Sequence, residues 1–319
     1  MIPFSFSEIV IIFFPLYGIY LLGKGIYVWI TGNKLYEIHW NRIRRMCWVV
    51  PCYLLSIFII TAGINYHRTP LAQYARLEVS PVQKEELLEL CLYLTDLTNA
   101  TAEHSRRNHE GRFVPNYTFR QYKMLVNNSY DSLSIHFPPF KGRYPSSKPL
   151  LFSHWVSYAH VMGFFFPFTF EVNINKDIPN FMIPAVVAHE QAHVRGFMRE
   201  EEAEYAVYLL ARYTKETELQ YSFYISTLMR TMSVLSRVDS ESYKEVIGCF
   251  SDNVHTDYQF FKAYWRSFQS PLRAISKSVN DAYLKANGQS DGVQSYGRVV
   301  WLLIADYKQI QNIKSNEHH

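Results

Sequence analysis

The chain has 319 residues and a formal net charge of +4 at pH 7, with 32 Lys and Arg against 28 Asp and Glu. Its hydrophobic content of 48% and aromatic content of 16% are high for a soluble enzyme and indicate a membrane-associated chain with a large core. Because the charge is mild and no basic run occurs, the composition excludes an electrostatic nucleic-acid-binding protein.

Two apolar runs near the amino terminus have the length of membrane spans. The first covers 9–30, with Lys24 near one end, and the second covers 47–64. The segment between them carries basic residues against a single Glu37: Lys34, Arg42, Arg44 and Arg45. Since cytoplasmic loops are enriched in Lys and Arg, we expect this loop in the cytoplasm and everything after Ile64 outside. The alternative is a pair of buried core helices.

These runs predict a two-part organisation. Residues 1–66 form a membrane anchor with two transmembrane helices, and residues 67–319 form an extracytoplasmic domain. We therefore expect a multi-pass membrane protein, with the lipid bilayer as one partner. The sequence leaves the oligomeric state open.

The cysteines and the last residues add little chemistry. Cys47 and Cys52 lie in the second apolar run. Cys91 and Cys249 are far apart in sequence and could pair in an exported domain, or remain two buried free thiols. The terminal pair 318–319 has the composition of a tag remnant and is excluded from the metal argument.

Ser80-Pro81 predicts the start of a helix. An apolar stripe at helical spacing predicts a core helix: Leu87, Leu90, Cys91, Leu94 and Leu97. A second helix is predicted at 119–127, and a loop rich in Pro, Gly and Ser at 137–149. Residues 199–213 should be helical, followed by 239–257 and 260–268. A turn at 287–292 then precedes a last apolar helix at 299–304.

The segment 151–175 is the most strand-like part of the chain. Apolar Phe170, Val172 and Ile174 alternate there with polar Glu171, Asn173 and Asn175, which is the period of a strand. Its polar face could line a cleft or belong to an ordinary amphipathic strand. With the helices around it, this segment predicts a mainly α fold with a small β-sheet (α+β).

The strongest chemical signal is a His-Glu-x-x-His motif at 189–193. On a helix, residues at i and i+4 share one face, so His189 and His193 can turn their imidazoles toward one metal ion. Glu190 lies about 100° further round the helix, where it can act on water instead of binding the metal. Pro184 suits the first turn of this helix, and Gly196 suits its end. A pair of packing or capping histidines is the alternative.

The third metal ligand should come from the acidic run that follows. Four glutamates lie within it: Glu200, Glu201, Glu202 and Glu204. If the chain reverses at Gly196, Glu200 comes level with His193 and Glu204 with His189. Glu200 and Glu204 share one helix face, whereas Glu201 and Glu202 are rotated away by about 100° and 200° and should be solvated. The alternative is a helix start enriched in carboxylates.

The run Arg199-Glu200-Glu201-Glu202-Ala203-Glu204 resembles the Glu-x-x-Ala-Asp element of the gluzincin metallopeptidases. The resemblance implies that Glu200 binds zinc and that Glu204 supports a ligand histidine. It also implies an edge strand before the motif helix that binds extended substrate, and Glu171 and Asn173 would then bind substrate. This chain departs from the pattern by having Glu in place of Asp, and by a shorter gap after His193.

Nearly the whole chain also resembles a bacterial membrane-protein family known as domain of unknown function 3810. The shared segments are 167–175, 189–197, 200–210, 283–289, 291–293 and 295–298. In that family a similar Pro-Phe-Ser stretch follows an earlier span, so this resemblance implies a further upstream helix. The family name assigns no substrate.

Together these features predict a zincin-like metallopeptidase domain that cleaves a peptide or protein substrate. Zinc held by His189, His193 and Glu200 would activate water, with Glu190 as the general base. A further group should stabilise the oxyanion, and the candidates are Tyr296, Arg298 and His255. Tyr296 leads because its loop belongs to the shared segments, and Arg298 is a candidate for substrate binding. A membrane-bound binding or assembly factor with a structural zinc site is the alternative function.

Overall fold

The computed structural model is mainly helical and describes residues 4–31, 37–289 and 297–317. Its α-helices are α1 (Phe6–Thr31), α2 (Glu37–Thr61), α3 (Leu71–Tyr74), α4 (Lys84–Glu103), α5 (Phe119–His136), α6 (Ser153–Ser157), α7 (Ile183–Val194), α8 (Glu200–Tyr213), α9 (Thr217–Val238), α10 (Ser240–Gly248), α11 (Asp252–Ser267), α12 (Pro271–Ala286) and α13 (Val299–Glu317). One sheet contains β1 (Lys148–Pro149), β2 (Gly163–Phe166) and β3 (Glu171–Ile174). The predicted mainly α fold with a small sheet is confirmed.

Helices α1 and α2 account for the two apolar runs. Each contains a stretch that is long and apolar enough to cross a membrane, 6–31 and 44–61. No residue of the most apolar part of either stretch is buried within the protein, although Ser7 and Glu8 at the start of α1 are. With a rise of about 1.5 Å per residue, the 26 residues of α1 extend about 39 Å. The two helices therefore indicate membrane association. The predicted basic loop is wrong in part: α2 begins at Glu37, so Arg44 and Arg45 belong to a helix. Lys34 lies outside the described residues.

The start of α1 is bound to the sheet. The Ser7 amide and hydroxyl donate to the carboxylate of Glu171 at 2.8 and 2.7 Å. The Glu8 carboxylate accepts from the amides of Leu151 and Phe152 at 2.8 and 3.0 Å. The first residues of the predicted anchor are thus part of the structure of the following domain.

The end of α2 is bound to the same domain. Ala62 and Tyr66 form a small buried cluster with Met198, and Phe58 of α2 packs against it. A 3₁₀ helix at Gly63–His67 follows α2, so the second apolar helix ends before the predicted Ile64. Because α2 ends at the domain, Arg44 and Arg45, which precede its last turns, lie on the side of that helix away from the domain.

The core consists of helices packed around α9. Helix α9 lies against α4, α7 and α8, and α5 packs on α7 and α8. The predicted stripe of α4 faces this core, with Leu87, Leu90, Cys91 and Leu94 buried. Helix α4 begins at Lys84, three residues after Pro81, because Gln83 and Glu86 form its capping box.

Helix lengths in the rest of the domain differ from the predictions. Helix α5 continues to His136 and α13 to Glu317, and the segment 239–257 is divided into α10 and α11. Cys91 is buried, Cys249 is exposed and both thiols are free, so neither the disulfide nor the pair of buried thiols is present. The part of the predicted turn at 290–292, and the pair 318–319, lie outside the described residues.

The sheet has the order β1-β3-β2, with β1 parallel and β2 antiparallel to β3. The predicted strand region 151–175 is interrupted by α6 and by a turn in which Phe170 has a positive φ of 54°. Strand β3 is central, and both of its faces are buried. Its apolar face packs toward α7, and its polar face is covered by the start of α1.

Candidate metal centre

The His-Glu-x-x-His motif lies on α7, a helix buried in the domain. Pro184 occupies its first turn, as predicted, and the Ser222 hydroxyl accepts from the Ala185 amide at 3.0 Å. The Tyr130 hydroxyl donates to the carbonyl of Ala188 at 2.7 Å. Strands β2 and β3 cover one side of α7, and α5, α8 and α9 cover the others. This packing holds the motif helix rigidly, which favours a preformed site.

Helix α7 ends at Val194, and Gly196 in the turn that follows has a φ of +92°. The amides of Gly196 and Phe197 donate to the carbonyls of His193 and Ala192 at 2.9 and 3.1 Å, the two bonds of a Schellman motif. This turn places the Phe197 carbonyl 2.8 Å from Nδ1 of His193. Because a carbonyl only accepts, Nδ1 of His193 carries the hydrogen, and Nε2 of the neutral ring presents a lone pair.

Three side chains converge beyond that Nε2 atom. The Nε2 atoms of His189 and His193 are 3.1 Å apart. Glu200 lies 3.2 Å from Nε2 of His189 and 3.8 Å from Nε2 of His193. Donor atoms of His189, His193 and Glu200 all lie within 4.8 Å of one another, so this cluster could hold a metal ion.

The spacing of the donors also fits a tetrahedral site. Ligands bound to zinc at about 2.0–2.1 Å lie about 3.3–3.4 Å apart when the geometry is tetrahedral. The distances of 3.1 and 3.2 Å around His189 are close to this value. His189 and Glu200 are partly exposed, whereas His193 is buried, so the cluster is reached from one side.

Glu204 and Arg230 stand behind the cluster. Glu204 lies 3.5 Å from Nδ1 of His189, the ring nitrogen that faces away from His193, and Arg230 of α9 forms an ion pair with Glu204. A carboxylate at this position orients a ligand histidine and increases its basicity. The structure thus brings together His189, His193, Glu200 and Glu204 as the fold-back of the chain predicts.

The prediction that Glu201 and Glu202 are solvated is wrong. Each is only 8% exposed. Glu202 accepts from the Leu71 amide at 2.7 Å, and Glu201 accepts from the Gln289 side chain at 2.9 Å. Segments distant in sequence, 62–71 and 284–289, cover these faces of α8, and helical angles alone could not reveal that covering. Burial raises the pKa of Glu202 to about 6.

Glu190 projects from α7 toward β2. Burial raises its pKa to about 8, and the backbone amide of Phe165 donates to its carboxylate. At Gly163, a Cβ atom would lie 2.8 Å from Cγ1 of Val186 and 3.0 Å from Cγ of Glu190, so only glycine lets the strand approach α7 this closely. The carboxyl group of Glu190 is therefore held beside a strand rather than in open solvent.

Neighbouring charges outweigh the effect of burial on the pKa values of His189 and Glu200, but not on that of His193. Burial disfavours the charged form of His189, but Glu204 and Glu200 outweigh it and raise the pKa of His189 to about 9. Burial likewise opposes ionisation of Glu200, but His189 and His193 lower its pKa to about 2. Burial lowers the pKa of His193. Glu200 is therefore an anion, and the neutral ring of His193 is available as a donor.

The cluster lines an open cleft of about 1100 Å³. Helix α7 and strand β2 form one side of the cleft, and α12 forms the other. Phe58 at the end of α2 and Tyr66 also line it. The cleft gives an extended ligand access to His189, Glu190 and Glu200.

Strand β2, not β3, is the edge strand at this cleft. The Asn175 amide donates to the Met162 carbonyl at 2.9 Å, so the backbone of Met162 and Phe164 faces β3. By the alternation of antiparallel ladders, the backbone groups of Gly163 and Phe165 face the cleft. The sequence could not identify this strand, because its run of phenylalanines shows no alternation.

Glu171 and Asn173, predicted to bind substrate, lie elsewhere. Glu171 pairs with Lys148 and accepts from Ser7, and the Ser5 hydroxyl donates to the Asn173 side chain at 2.7 Å. The expectation that they line the cleft is therefore wrong. Their polar face is not that of an ordinary solvated strand either, because the start of α1 covers it.

The structure describes two of the three candidate oxyanion groups. Tyr296 lies outside the described residues. Arg298 lies 3.8 Å from Glu201, outside the cleft lining, and His255 is exposed on α11. Sequence analysis missed Tyr66 and singled out Tyr283 only as part of a shared segment.

Tyr66 and Tyr283 both line the cleft, and their hydroxyl oxygens are 3.3 Å apart. Burial and the negative charge of Glu200 raise the pKa of both hydroxyls, so both are neutral. Tyr66 donates its hydrogen to the Tyr283 oxygen, which leaves the hydrogen of Tyr283 for another acceptor. They lie on 63–67 and on α12, which only the tertiary structure brings together. No pattern in the sequence predicts that these two tyrosines lie side by side.

Fold and site together define a mainly helical, membrane-associated protein with a His-His-Glu cluster at an open cleft. The family model described as Protein of unknown function (DUF3810) matches residues 1–304, and the chain belongs to that family. No curated protein and no solved structure matches the chain.

Proposed function

We propose that this chain is a membrane-anchored, zinc-dependent, gluzincin-like metallopeptidase. The observation that carries the proposal is the position of Glu190. It lies next in sequence to His189, is buried at the cleft, and is hydrogen-bonded to β2, whose edge faces the same cleft. A site that used zinc for structure alone would need neither a carboxylate at this position nor an open cleft.

His189, His193 and Glu200 would hold the zinc ion. Two imidazoles and one carboxylate with a remaining open position are the donor set of a catalytic zinc site. Zinc in such a set polarises a carbonyl group and lowers the pKa of water. Glu204 would keep Nδ1 of His189 protonated, and the Phe197 carbonyl does the same for His193. Both Nε2 atoms would then offer a lone pair to the metal ion.

Glu190 would act as the general base and then the general acid. It takes a proton from the attacking water and delivers a proton to the nitrogen of the leaving amine when the peptide C–N bond breaks. Glu190 is buried and lines the cleft, so its carboxyl group can carry the proton from the first step to the second. The Tyr283 hydroxyl, which accepts from Tyr66 and lines the cleft, would donate to the oxyanion in place of Arg298 and His255.

The substrate would lie in the cleft as an extended peptide beside β2. The backbone amide and carbonyl of Gly163 and the carbonyl of Phe165 can form an antiparallel ladder with it, which is a common mode of peptide recognition. The Phe165 amide stays bound to Glu190. This assigns to β2 the role that the sequence suggested for the strand at 171–174. It also explains why Glu190 is reached from the strand side of α7.

The membrane orientation is part of the proposal. Helices α1 and α2 would both cross the bilayer, with the basic residues between them in the cytoplasm and the domain outside. The binding of Ser7 and Glu8 to the domain supports this arrangement, because it puts the start of α1 on the same side as the metal centre.

The test is peptide-library cleavage by the detergent-solubilised full chain. We expect cleavage with zinc, loss of cleavage with a chelator, and recovery when zinc is restored. The matched control is Glu190→Gln, which should bind zinc and fail to cleave. If the wild-type chain binds stoichiometric zinc and cleaves no peptide, the non-catalytic binding or assembly factor replaces the peptidase.

A further inference from the structure

Helix α12 carries an exposed apolar face. Leu272, Ile275 and Val279 are 51, 58 and 64% exposed. Their spacing of three and four residues puts them on one side of the helix. Leu284, on the other side, is fully buried and attaches the helix to the domain. A contiguous apolar face of this kind marks an interaction surface rather than an ordinary solvated surface.

The opposite face of α12 is charged. It carries Arg273, Lys277 and Lys285 with one acidic residue, Asp281. An apolar face opposite a basic face is the pattern of helices that lie in the plane of a membrane surface, where anionic headgroups attract the Lys and Arg side chains. The pattern therefore favours a lipid surface over a second protein as the occupant.

The apolar face of α12 leads directly to a membrane helix. Tyr283 lies four residues after Val279, on the same face, and its ring contacts that of Phe58 edge-on at 6.1 Å. Phe58 belongs to the last turn of the apolar stretch 44–61 of α2. One end of the exposed face is thus continuous with the span itself.

A second exposed apolar group lies where α1 leaves the domain. Glu8 of α1 holds the amides of Leu151 and Phe152, and the side chains of Leu151, Phe152 and Trp155 are exposed. Aromatic residues are typical of the membrane–water boundary. The domain therefore presents apolar side chains at the domain-facing ends of both apolar helices.

The turn between β2 and β3 is attached at the same place. The hydroxyls of Thr169 and Ser7 are 2.7 Å apart, so this turn contacts the first turn of α1. Strand β2 forms one side of the cleft and α12 the other. Both sides of the cleft are therefore connected to a membrane helix.

We propose that α12 lies on the bilayer surface, with Leu272, Ile275 and Val279 facing the lipids. The cleft, whose rim Val279 also forms, then opens at that surface. The occupant of the apolar face is lipid, because the face continues into α2. If the cleft opens at the membrane surface, its substrate would be a polypeptide segment held at that surface. This last step rests on the proposed function.

The test uses spin labels on the full chain in vesicles of phosphatidylethanolamine and phosphatidylglycerol. Labels are attached at Ile275→Cys and Val279→Cys after the exposed native cysteines are replaced by Ser: Cys47, Cys52 and Cys249. The matched control is Ala274→Cys, exposed on the other side of α12. Thermal unfolding of each variant checks that its fold is retained.

We expect oxygen, which concentrates in lipid, to relax the labels at 275 and 279 more than a water-soluble nickel chelate does. The order should be reversed at 274. A preference for the nickel chelate at 275 and 279 would overturn the proposal. Dipolar broadening between labels on separate copies would also overturn it, since a second copy would then cover the face. The measurement needs neither zinc in the cluster nor a substrate, so it is independent of the peptidase proposal.

Discussion

Nδ1 of His193 lies 2.8 Å from the carbonyl oxygen of Phe197, four residues further along the chain. The Schellman turn at Gly196 makes this contact possible, because it reverses the chain directly below the histidine. The contact fixes the tautomer of His193, and the same reversal brings Glu200 back to both imidazoles. One turn therefore prepares two of the three candidate ligands.

Glu190→Gln should keep the metal and lose activity. Residue 190 is not among the clustered donors, so zinc content should equal that of the wild type. General-base catalysis typically contributes about 10²–10⁴-fold, and turnover should fall by that order. Zinc content and peptide cleavage are measured on one preparation. A variant that loses its zinc, or cleaves at the wild-type rate, would refute the assigned role.

Glu200→Ala should abolish tight zinc binding, because it removes one of three donors. Glu204→Ala should weaken binding by about 10–100-fold, since it removes only the support of His189. Isothermal titration with zinc measures both variants. Lys244→Ala, at an exposed residue of α10, is the control and should bind as the wild type does. Stoichiometric, tight zinc in Glu200→Ala would contradict the ligand assignment.

Glu202→Ala should destabilise the fold, whereas Glu202→Gln should not. The Glu202 carboxylate accepts from the buried Leu71 amide at 2.7 Å, and Ala would leave that amide without its acceptor, at a cost of about 1–3 kcal/mol. The Gln side chain keeps an oxygen acceptor. Thermal or denaturant unfolding of the detergent-solubilised chain gives the comparison. Equal stability of the Ala variant and the wild type would mean that this bond contributes nothing.

Gly196→Ala should lower both stability and zinc affinity. A Cβ atom at position 196 would lie 2.8 Å from Nη1 of Arg68, and the φ of +92° costs an L-residue about 1–2 kcal/mol. The distortion would move the Phe197 carbonyl away from His193. Gly248→Ala is the control, because no heavy atom lies within 4 Å of the added Cβ there. The argument fails if both variants unfold and bind zinc alike.

The membrane orientation predicts opposite labelling of two cysteines. Cys249 is exposed on the domain and should react with an impermeant thiol reagent added to intact cells. Arg44→Cys, at the first residue of the apolar stretch 44–61 of α2, should react only after the cells are opened. Each cysteine is tested with the other reactive cysteines replaced. Labelling of position 44 from outside would reverse the proposed topology.

His189, His193 and Glu200 lie close together in the sequence, and this part of the site was predictable from the sequence. His189 and His193 share a helix face because the helical period is a local property of the backbone, and Gly196 ends that helix because glycine adopts positive φ at little cost. These two properties predicted that the chain reverses and brings Glu200 back to the two histidines. The two apolar helices were predictable for the same reason, since length and composition suffice to recognise them.

Only the tertiary structure decided which polar faces are covered and which strand borders the cleft. Glu201, Glu202, Glu171 and Asn173 are buried by segments up to about 170 residues away, such as Ser5 on Asn173, with a separation of 168. The cleft position of β2 and the pairing of Tyr66 with Tyr283 depend on the same long-range contacts. Helical and strand periods state which side chains share a face. They do not state what packs against that face, because this is set by the free energy of burying distant segments together.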